Sequence, residues 1–382
     1  MSNYIVDRSP KKYGGMQNEY LQQVDLIVAG TSKKFHQAVS DKRNLQELFH
    51  EVLNFLGTER HRLAVEHGTK DADAFGFPRD QEKDFPSPFC ATPLSAPYEE
   101  YNTKLMPFIY KHLNPLKRTL REFKQTELKV QEESYEGRKC SLEFSILTFE
   151  KVKDWSIDLC YEEYKRFCKL CSINAVDESS YTHQDFFSLV NSKKAMLNLK
   201  QNSIEDYKKF KLSMLIGQIR NLYEGRKSDW VLATIRFEVD NKMYALSQYL
   251  TWLYRDYSTD PFEHMKENSI ISVVHQDPFL INPMLQDIAK IFQKVIEYRD
   301  GDVAKLKNTV ALLQYEIAHA MPFKRGSAAI SEWLEMAIYR YHGFKMTYNS
   351  GVMVNLEALT LTPAQFVREY EKMIKLQKIE NL

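Results

Sequence analysis

The stretch "AHAMPFKRGSAAISEW", residues 318–333, places two cations and a glycine between two helical patterns. Before it, apolar residues recur at steps of three and four from Asp302 onward, and Pro322 ends this pattern because the residue before a proline disfavours the α conformation. After it, a second amphipathic pattern starts at Ser327, which we expect to cap the helix, and closes at Gly343. The stretch therefore predicts two helices joined by a short rigid loop.

Most of the remaining chain also has the periodicity of helices. Two alternating runs around a Glu-Gly turn predict a β-hairpin over about 127–148, and 267–274 has the pattern of another short strand. The first long helix should stop at Gly30. We therefore expect a mainly α fold, a large multi-helix domain with this small β-hairpin inserted. Helices are predicted at 150–172, 182–198, 204–223, 229–257, 280–299, 302–321, 327–342 and 364–379.

The domain organisation is expected to be one continuous core without a clean linker. We interpret residues 1–18 as a flexible arm, 19–125 as the N-terminal helices, and 126–382 as the hairpin plus the main helical domain. The segment 72–98 is rich in proline, glycine and aspartate, and a long irregular segment of this kind is often a lid or a binding loop.

Composition excludes several classes of protein. The 382 residues contain 52 Lys and Arg against 51 Asp and Glu, which argues against a basic nucleic-acid binder. No window reaches the roughly 18 apolar residues of a membrane span, and the N-terminus lacks the apolar run of a signal peptide. Of the five cysteines, Cys168 and Cys171 form a C-x-x-C without a second pair, so we expect reduced thiols and a protein made in the cytoplasm.

The loop between the two central helices has the composition of an anion site. Gly326 permits backbone conformations that other residues resist, and it precedes a helix whose first amides are free to bind an anion. Lys324 and Arg325 each cost about 0.3–1 kcal/mol at a helix start, and a bound phosphate reverses that sign. We expect Lys324, Arg325, Gly326 and Ser327 to cradle the phosphates of a nucleotide. A solvated turn with screened charges is the open alternative.

The helix–loop–helix resembles the signature of Fic-domain proteins, in which the loop H-P-F-x-x-G-N-G-R joins two helices. Pro322, Phe323 and Gly326 match that signature, whereas Met321 replaces its His and Ser327 its Asn. The second Gly and the Arg are replaced by Ala328 and Ala329. The resemblance implies a loop that binds nucleotide phosphates, with ATP and Mg²⁺ as ligands, and transfer of AMP to a protein hydroxyl. A thioether cannot accept a proton, so Met321 cannot serve as the base that the family uses.

Four acidic or imidazole side chains near the loop are candidates for further roles. Glu316 and His319 are spaced i, i+3 and share a helix face, which makes them the candidate acid–base pair. Glu332 and Glu335 in the second helix are candidate ligands of a divalent ion beside a bound phosphate. The simplest interpretation of these two glutamates is that they are solvated.

Three functions follow from these patterns and stay open. The first is a nucleotide-binding enzyme that transfers AMP or another phosphate-linked group to a protein target. The second is a non-catalytic helical module that binds a partner protein. The third is a di-metal oxidase. Its metal ligands would be the pair Glu47 and His50, the pair Glu316 and His319, and carboxylates such as Glu162 or Glu205.

The C-terminus adds a structural signal and a hint about delivery. Thr362, Pro363 and Gln365 have the spacing of a capping box with proline at the first helical position, which supports the helix over 364–379. The charged end "MIKLQKIENL" is a candidate secretion address. Together with the near-zero net charge and the large size of the chain, this end suggests a bacterial effector delivered into a host cell.

Overall fold

The computed structural model describes residues 14–69, 72–79, 91–93, 127–147, 161–182, 185, 189, 228–239, 242–254, 272–275, 278–350 and 352–379. The chain divides into two compact units. Unit 1 comprises 1–79, 134–137 and 280–382, and unit 2 comprises 80–133 and 138–279. The predicted arm up to residue 13, the predicted helix 204–223 and Glu205 lie outside the described residues, as does most of 182–198.

Helices form most of unit 1, and the predicted mainly α fold class is confirmed. No helix in the described part of the chain has the length and apolarity needed to cross a membrane. The helices are α1 (Gly14–Ser40), α2 (Leu45–Glu66), α3 (Tyr161–Leu170), α4 (Pro278–Ile296), α5 (Val303–Ala320), α6 (Ser327–Tyr341), α7 (Val354–Thr360) and α8 (Pro363–Tyr370). Of these, α3 belongs to unit 2.

Unit 2 contains a six-stranded sheet with the order β1-β6-β5-β4-β3-β2. The predicted hairpin is confirmed as β2 and β3, which flank Glu136 and Gly137. Both turn residues have positive φ, 48° and 76°, as a tight hairpin turn requires. The strands of this sheet are β1 (Ala91–Pro93), β2 (Glu127–Tyr135), β3 (Arg138–Leu147), β4 (Ser228–Val239), β5 (Lys242–Tyr254) and β6 (Ser272–His275).

The helix predicted over 229–257 is wrong. This stretch forms the antiparallel strands β4 and β5, paired from Ser228 opposite Tyr254 to Val239 opposite Lys242. Its many β-branched and aromatic residues favour a strand, and they outweigh apolar spacings that also fit a helix. The strand predicted near 267–274 is confirmed by β6.

Two helix ends also differ from the prediction. α1 continues through Gly30, because an isolated glycine weakens a helix by only about 1 kcal/mol and tertiary packing compensates. The capping box of Thr362 and Gln365 is present, but α8 ends at Tyr370. Residues that were predicted to continue this helix form β8 (Ile374–Lys378), which pairs with β7 (Phe344–Tyr348).

The core of unit 1 is organised around α6. This helix packs against α1, α2, α5 and β7. Its predicted apolar face is confirmed, since Ile330, Leu334, Ala337 and Ile338 are almost completely buried. The side chain of Asp302 caps the start of α5, and Met321 is the C-cap at its end, as the proline that follows predicts. The two central helices thus pack against each other in the core of unit 1.

An ordered segment from the predicted irregular region crosses this loop. Residues 72–79, here called the strap, start with a short 3₁₀ turn and then run beside residues 321–325. Gly76 of the strap touches Gly57 of α2 so closely that a Cβ on Gly76 would lie 1.9 Å from the Gly57 carbonyl oxygen. Two residues without side chains therefore allow the strap to approach α2.

Replacing Gly76 by alanine tests this contact. Gly76 has φ +69°, so alanine costs about 1–2 kcal/mol in backbone strain, and the overlap with Gly57 adds about 1–3 kcal/mol. Gly68→Ala is the matched control, because Gly68 has φ +60° and open space around it. In urea unfolding of the full chain, Gly76→Ala should lower the free energy of unfolding clearly more than Gly68→Ala does. Equal losses would contradict the close approach of the strap.

Candidate functional site

The loop between α5 and α6 is shaped by two left-handed residues. Met321 has φ 43° and ends α5, and Gly326 has φ 87° and is the N-cap of α6. The prediction that Ser327 is the N-cap is wrong by one residue. The Ser327 hydroxyl instead accepts a hydrogen bond from the Phe323 amide and donates one to the Phe323 carbonyl, each at 3.0 Å. This side chain therefore closes the loop on itself.

Backbone hydrogen bonds clamp the strap to the loop. The amides of Lys324 and Arg325 donate to carbonyls of the strap, at Phe77 and Ala74. In return, the Gly76 amide donates to the carbonyl of Arg325. These bonds lock the backbone of both predicted cations.

A buried arginine at the end of the strap strengthens the clamp. The amide of Arg79 donates to the Pro322 carbonyl, and its guanidinium donates to the Met321 carbonyl at 2.8 Å. The guanidinium thereby meets the carbonyl end of α5, where the helix dipole favours a cation. Arg79 thus fixes the start of the loop through both its backbone and its side chain.

Three cations gather on the aromatic rings of the strap. The Lys324 ammonium lies 4.6 Å from the ring centre of Phe77. The guanidinium carbons of Arg60 and Arg325 lie 4.6 and 5.7 Å from the ring centre of Phe75. We call Arg60, Lys324 and Arg325 the basic cluster. The sequence indicated two of its members and missed Arg60, whose neighbours on α2 have an ordinary amphipathic pattern.

Arg60 lies directly behind the start of α6. A Cβ on Gly326 would be 2.9 Å from Arg60 Cγ, so only glycine leaves room for this side chain. Burial lowers the pKa of Arg60, while interactions with Tyr20 and Glu332 raise it. α6 begins at Ser327, so the amides of its first turn have no acceptor inside the helix. Cationic side chains and helix amides thus meet at one place, which favours a bound anion.

The predicted acid–base pair lies in the core. His319 is completely buried, its Nε2 is 3.1 Å from the Ala358 carbonyl, and its ring packs on Tyr315. Burial lowers the pKa of His319 to about 4, so the imidazole is neutral at physiological pH. Glu316 is also buried. The geometry gives no support to an acid–base role, which stays a prediction.

The interpretation of Glu332 and Glu335 as solvated is wrong, since both are buried. The hydroxyls of Tyr348 and Tyr370 donate hydrogen bonds to Glu335. Burial, reinforced by the charge of Glu332, raises the pKa of Glu335 to about 8. A carboxyl that keeps its proton and is occupied by two phenols is a poor ligand for a divalent ion. No sequence signal shows this burial, because glutamate on a helix is usually exposed.

The described part of the chain gives no support to the metal hypotheses. Among its residues, no three or more His, Cys, Asp and Glu side chains lie close enough together to hold a metal ion. Glu162 is exposed and pairs with Lys165. Cys168 and Cys171 are free, buried thiols. Burial raises the pKa of both, that of Cys171 to about 12, so little reactive thiolate forms at neutral pH.

A cavity of about 600 Å³ lies between α1, α6 and β7 in unit 1. Ala329, from the first turn of α6, borders it, and Glu332 and Trp333 follow along the same wall. The volume is in the range of small-molecule pockets. The cavity therefore runs along most of α6, from Ala329 in its first turn to Arg340 in its last.

Part of the chain matches a family of known proteins. Residues 223–377 match the AvrB_AvrC family, described as avirulence protein, and no curated protein matches the chain. The match covers the α5–α6 loop but less than half of the chain. It indicates a bacterial effector that is delivered into host cells and has host proteins as targets, which confirms the predicted effector character. The matched family is not the Fic family, so that resemblance stays a prediction.

The buried carboxyl of Glu335 should make stability depend on pH. Its folded-state pKa of about 8 lies above the ordinary 4.5, so its contribution is fully present below about pH 4.5 and is lost as the pH rises through 8. Glu335→Gln removes this titration. The melting temperature of the natural chain, relative to that of Glu335→Gln, should fall by several degrees between pH 5 and 9.

Glu297→Gln is the control for this measurement, because Glu297 is an exposed side chain of the same unit. Its melting temperature should follow that of the natural chain at every pH. A pH-independent difference between the natural chain and Glu335→Gln would show that the buried carboxyl does not titrate in this range.

Proposed function

We propose that this chain is an effector enzyme that binds the phosphates of a nucleotide at the start of α6 and transfers a phosphate-linked group to a host protein. ATP with Mg²⁺ is the proposed ligand, and AMP is the proposed group. A hydroxyl of the target would attack the α-phosphate, and the bond to the β-phosphate would break with release of pyrophosphate. The observation that carries the proposal is the basic cluster at the first turn of α6. The effector character comes from the family match.

Electrostatics support an anion at this place. Lys324 and Arg325 add positive charge beside the positive end of the α6 dipole, and Arg60 brings a third cation close behind it. A bound phosphate would lower the electrostatic energy of this arrangement, because it supplies two or more negative charges and several acceptor oxygens. Because the strap holds the loop through backbone bonds, little ordering entropy is lost when the anion binds.

A second candidate function is binding without group transfer. Met321 cannot act as a base, and His319 is buried against Ala358. If no other group accepts the proton of the target hydroxyl, the effector acts by occupying a host protein. ATP labelled at its α-phosphate separates the two candidates: transfer of label to the chain or to a host-cell extract supports the enzyme, and binding without transfer supports the second candidate.

Thermal unfolding with ATP, with and without Mg²⁺, tests the phosphate site. A ligand at about 100 times its dissociation constant adds about 2.7 kcal/mol, which should raise the melting temperature by several degrees. Replacing both Lys324 and Arg325 by alanine should remove most of this rise. Higher salt should also reduce it, because the attraction is electrostatic.

Lys305→Ala is the matched control for these variants. Lys305 lies in the first turn of α5, so its removal also deletes an exposed cation near a helix start. The control should keep the full rise in melting temperature. Absence of any rise with ATP, or an equal rise in the double variant, would contradict the proposed site.

A further inference from the structure

We propose that the free edge of β7 binds an extended segment of a partner protein as an added strand, in the groove between β7 and α1. The assignment of this partner to the host rests on the proposed function, whereas the binding itself does not. The argument uses the sheet register, the cavity beside the edge, and the charges around it.

The hydrogen bonds that flank the β7–β8 pair determine which backbone groups face outward. The Ile379 amide donates to the Gly343 carbonyl at one end, and the Asn349 amide donates to the Met373 carbonyl at the other. Hydrogen-bonded and non-hydrogen-bonded pairs alternate along an antiparallel ladder. The odd-numbered residues of β7 therefore bond to β8, and the amides and carbonyls of the even-numbered residues point away from it.

The outward groups belong to Phe344, Met346 and Tyr348. β7 and β8 form a two-stranded sheet, and these groups have no hydrogen-bond partner within the described part of the chain. Met346 is only 5% exposed, so its amide and carbonyl have little access to water as well. Leaving such a group without a partner costs about 1–3 kcal/mol. An added strand supplies the missing donors and acceptors.

The cavity beside β7 provides the space for such a strand. All of 344–347 border it, although the side chains of a strand alternate between the two faces. Contact with four successive residues places the cavity beside the backbone of β7 as well as beside its side chains. Val24 and Val28 of α1 form the opposite wall, and Trp333 of α6 also lines the groove. Apolar side chains at alternate positions of the incoming segment would face these residues.

Charge indicates which segment fits. Arg340 and Lys345 border the cavity, and neither forms an ion pair among the described residues. The carboxylates that border it are Asp25, on the exposed side of α1, and Glu332, which interacts with the buried Arg60. The groove therefore favours an extended peptide that carries an acidic residue near Arg340 and Lys345.

Random heptapeptides displayed on phage and selected on the full chain, without nucleotide, provide the probe. Enriched peptides should alternate apolar residues, include an acidic residue and lack central prolines. Binding of a synthetic peptide is then followed by fluorescence polarisation. Methylating the backbone nitrogens that face β7 should weaken binding at least tenfold, whereas methylating the alternate nitrogens should have much less effect, because only every second amide bonds to the neighbouring strand.

Variants of the protein test the binding of the peptide independently. Phe344→Pro removes an outward amide without touching the ladder to β8, and should weaken binding at least tenfold. Lys378→Pro is the matched control, since Lys378 lies opposite Phe344 and its amide faces the outer edge of β8. Replacing both Arg340 and Lys345 by glutamate leaves the backbone intact and should also weaken binding of acidic peptides at least tenfold.

Several results would overturn the proposal. They are a failure to enrich any peptide, binding that is insensitive to N-methylation, and equal affinity in Phe344→Pro and Lys378→Pro. A concentration-dependent dimer that Phe344→Pro abolishes would assign the edge to a second copy of the chain instead. The melting-temperature rise with ATP should survive in the charge-reversal variant, so loss of peptide binding and loss of nucleotide binding are distinguished.

Discussion

The candidate phosphate site depends on the pairing of the strap with the loop before α6. Two short β-bridges, between Phe75 and Arg325 and between Pro78 and Phe323, hold the two segments together. This pairing requires the strap to lie against α2, which only the absence of side chains at Gly57 and Gly76 permits. The positions of the cations are thus set by a segment that lies more than 240 residues earlier in the chain.

The same pairing explains how like charges coexist at one helix start. The cations stack on Phe75 and Phe77, which provide favourable ring faces. Glu332 interacts with Arg60 from the second turn of α6, and this partly offsets the buried charge. Arg79 lies instead at the C-terminal end of α5, where a backbone carbonyl accepts a hydrogen bond from its guanidinium. Lys324 and Arg325 directly precede α6 in the chain, so an anion bound at the start of this helix would lie close to their positive charge.

Local patterns predicted the central helices but not the site as a whole. Periodicity, Pro322 and Gly343 were sufficient for α5 and α6, and the Glu-Gly turn was sufficient for the β2–β3 hairpin. The β4–β5 hairpin was missed because its apolar residues also fit a helix, although Asp240 and Asn241 between the strands are turn formers. Arg60 and the strap phenylalanines could not be predicted as site residues, because tertiary contacts alone bring them to the loop. The burial of His319 and Glu335 likewise depends on packing from distant elements.

Calorimetric titration with inorganic pyrophosphate, comparing the natural chain with Phe75→Leu, tests the central claim most directly. The substitution keeps every cation and an apolar side chain, but removes the ring on which Arg60 and Arg325 stack. If the strap positions the basic cluster for phosphate, pyrophosphate should bind the natural chain in a salt-sensitive manner and bind Phe75→Leu several-fold more weakly. Absence of binding to the natural chain, or equal affinity for both proteins, would contradict this account.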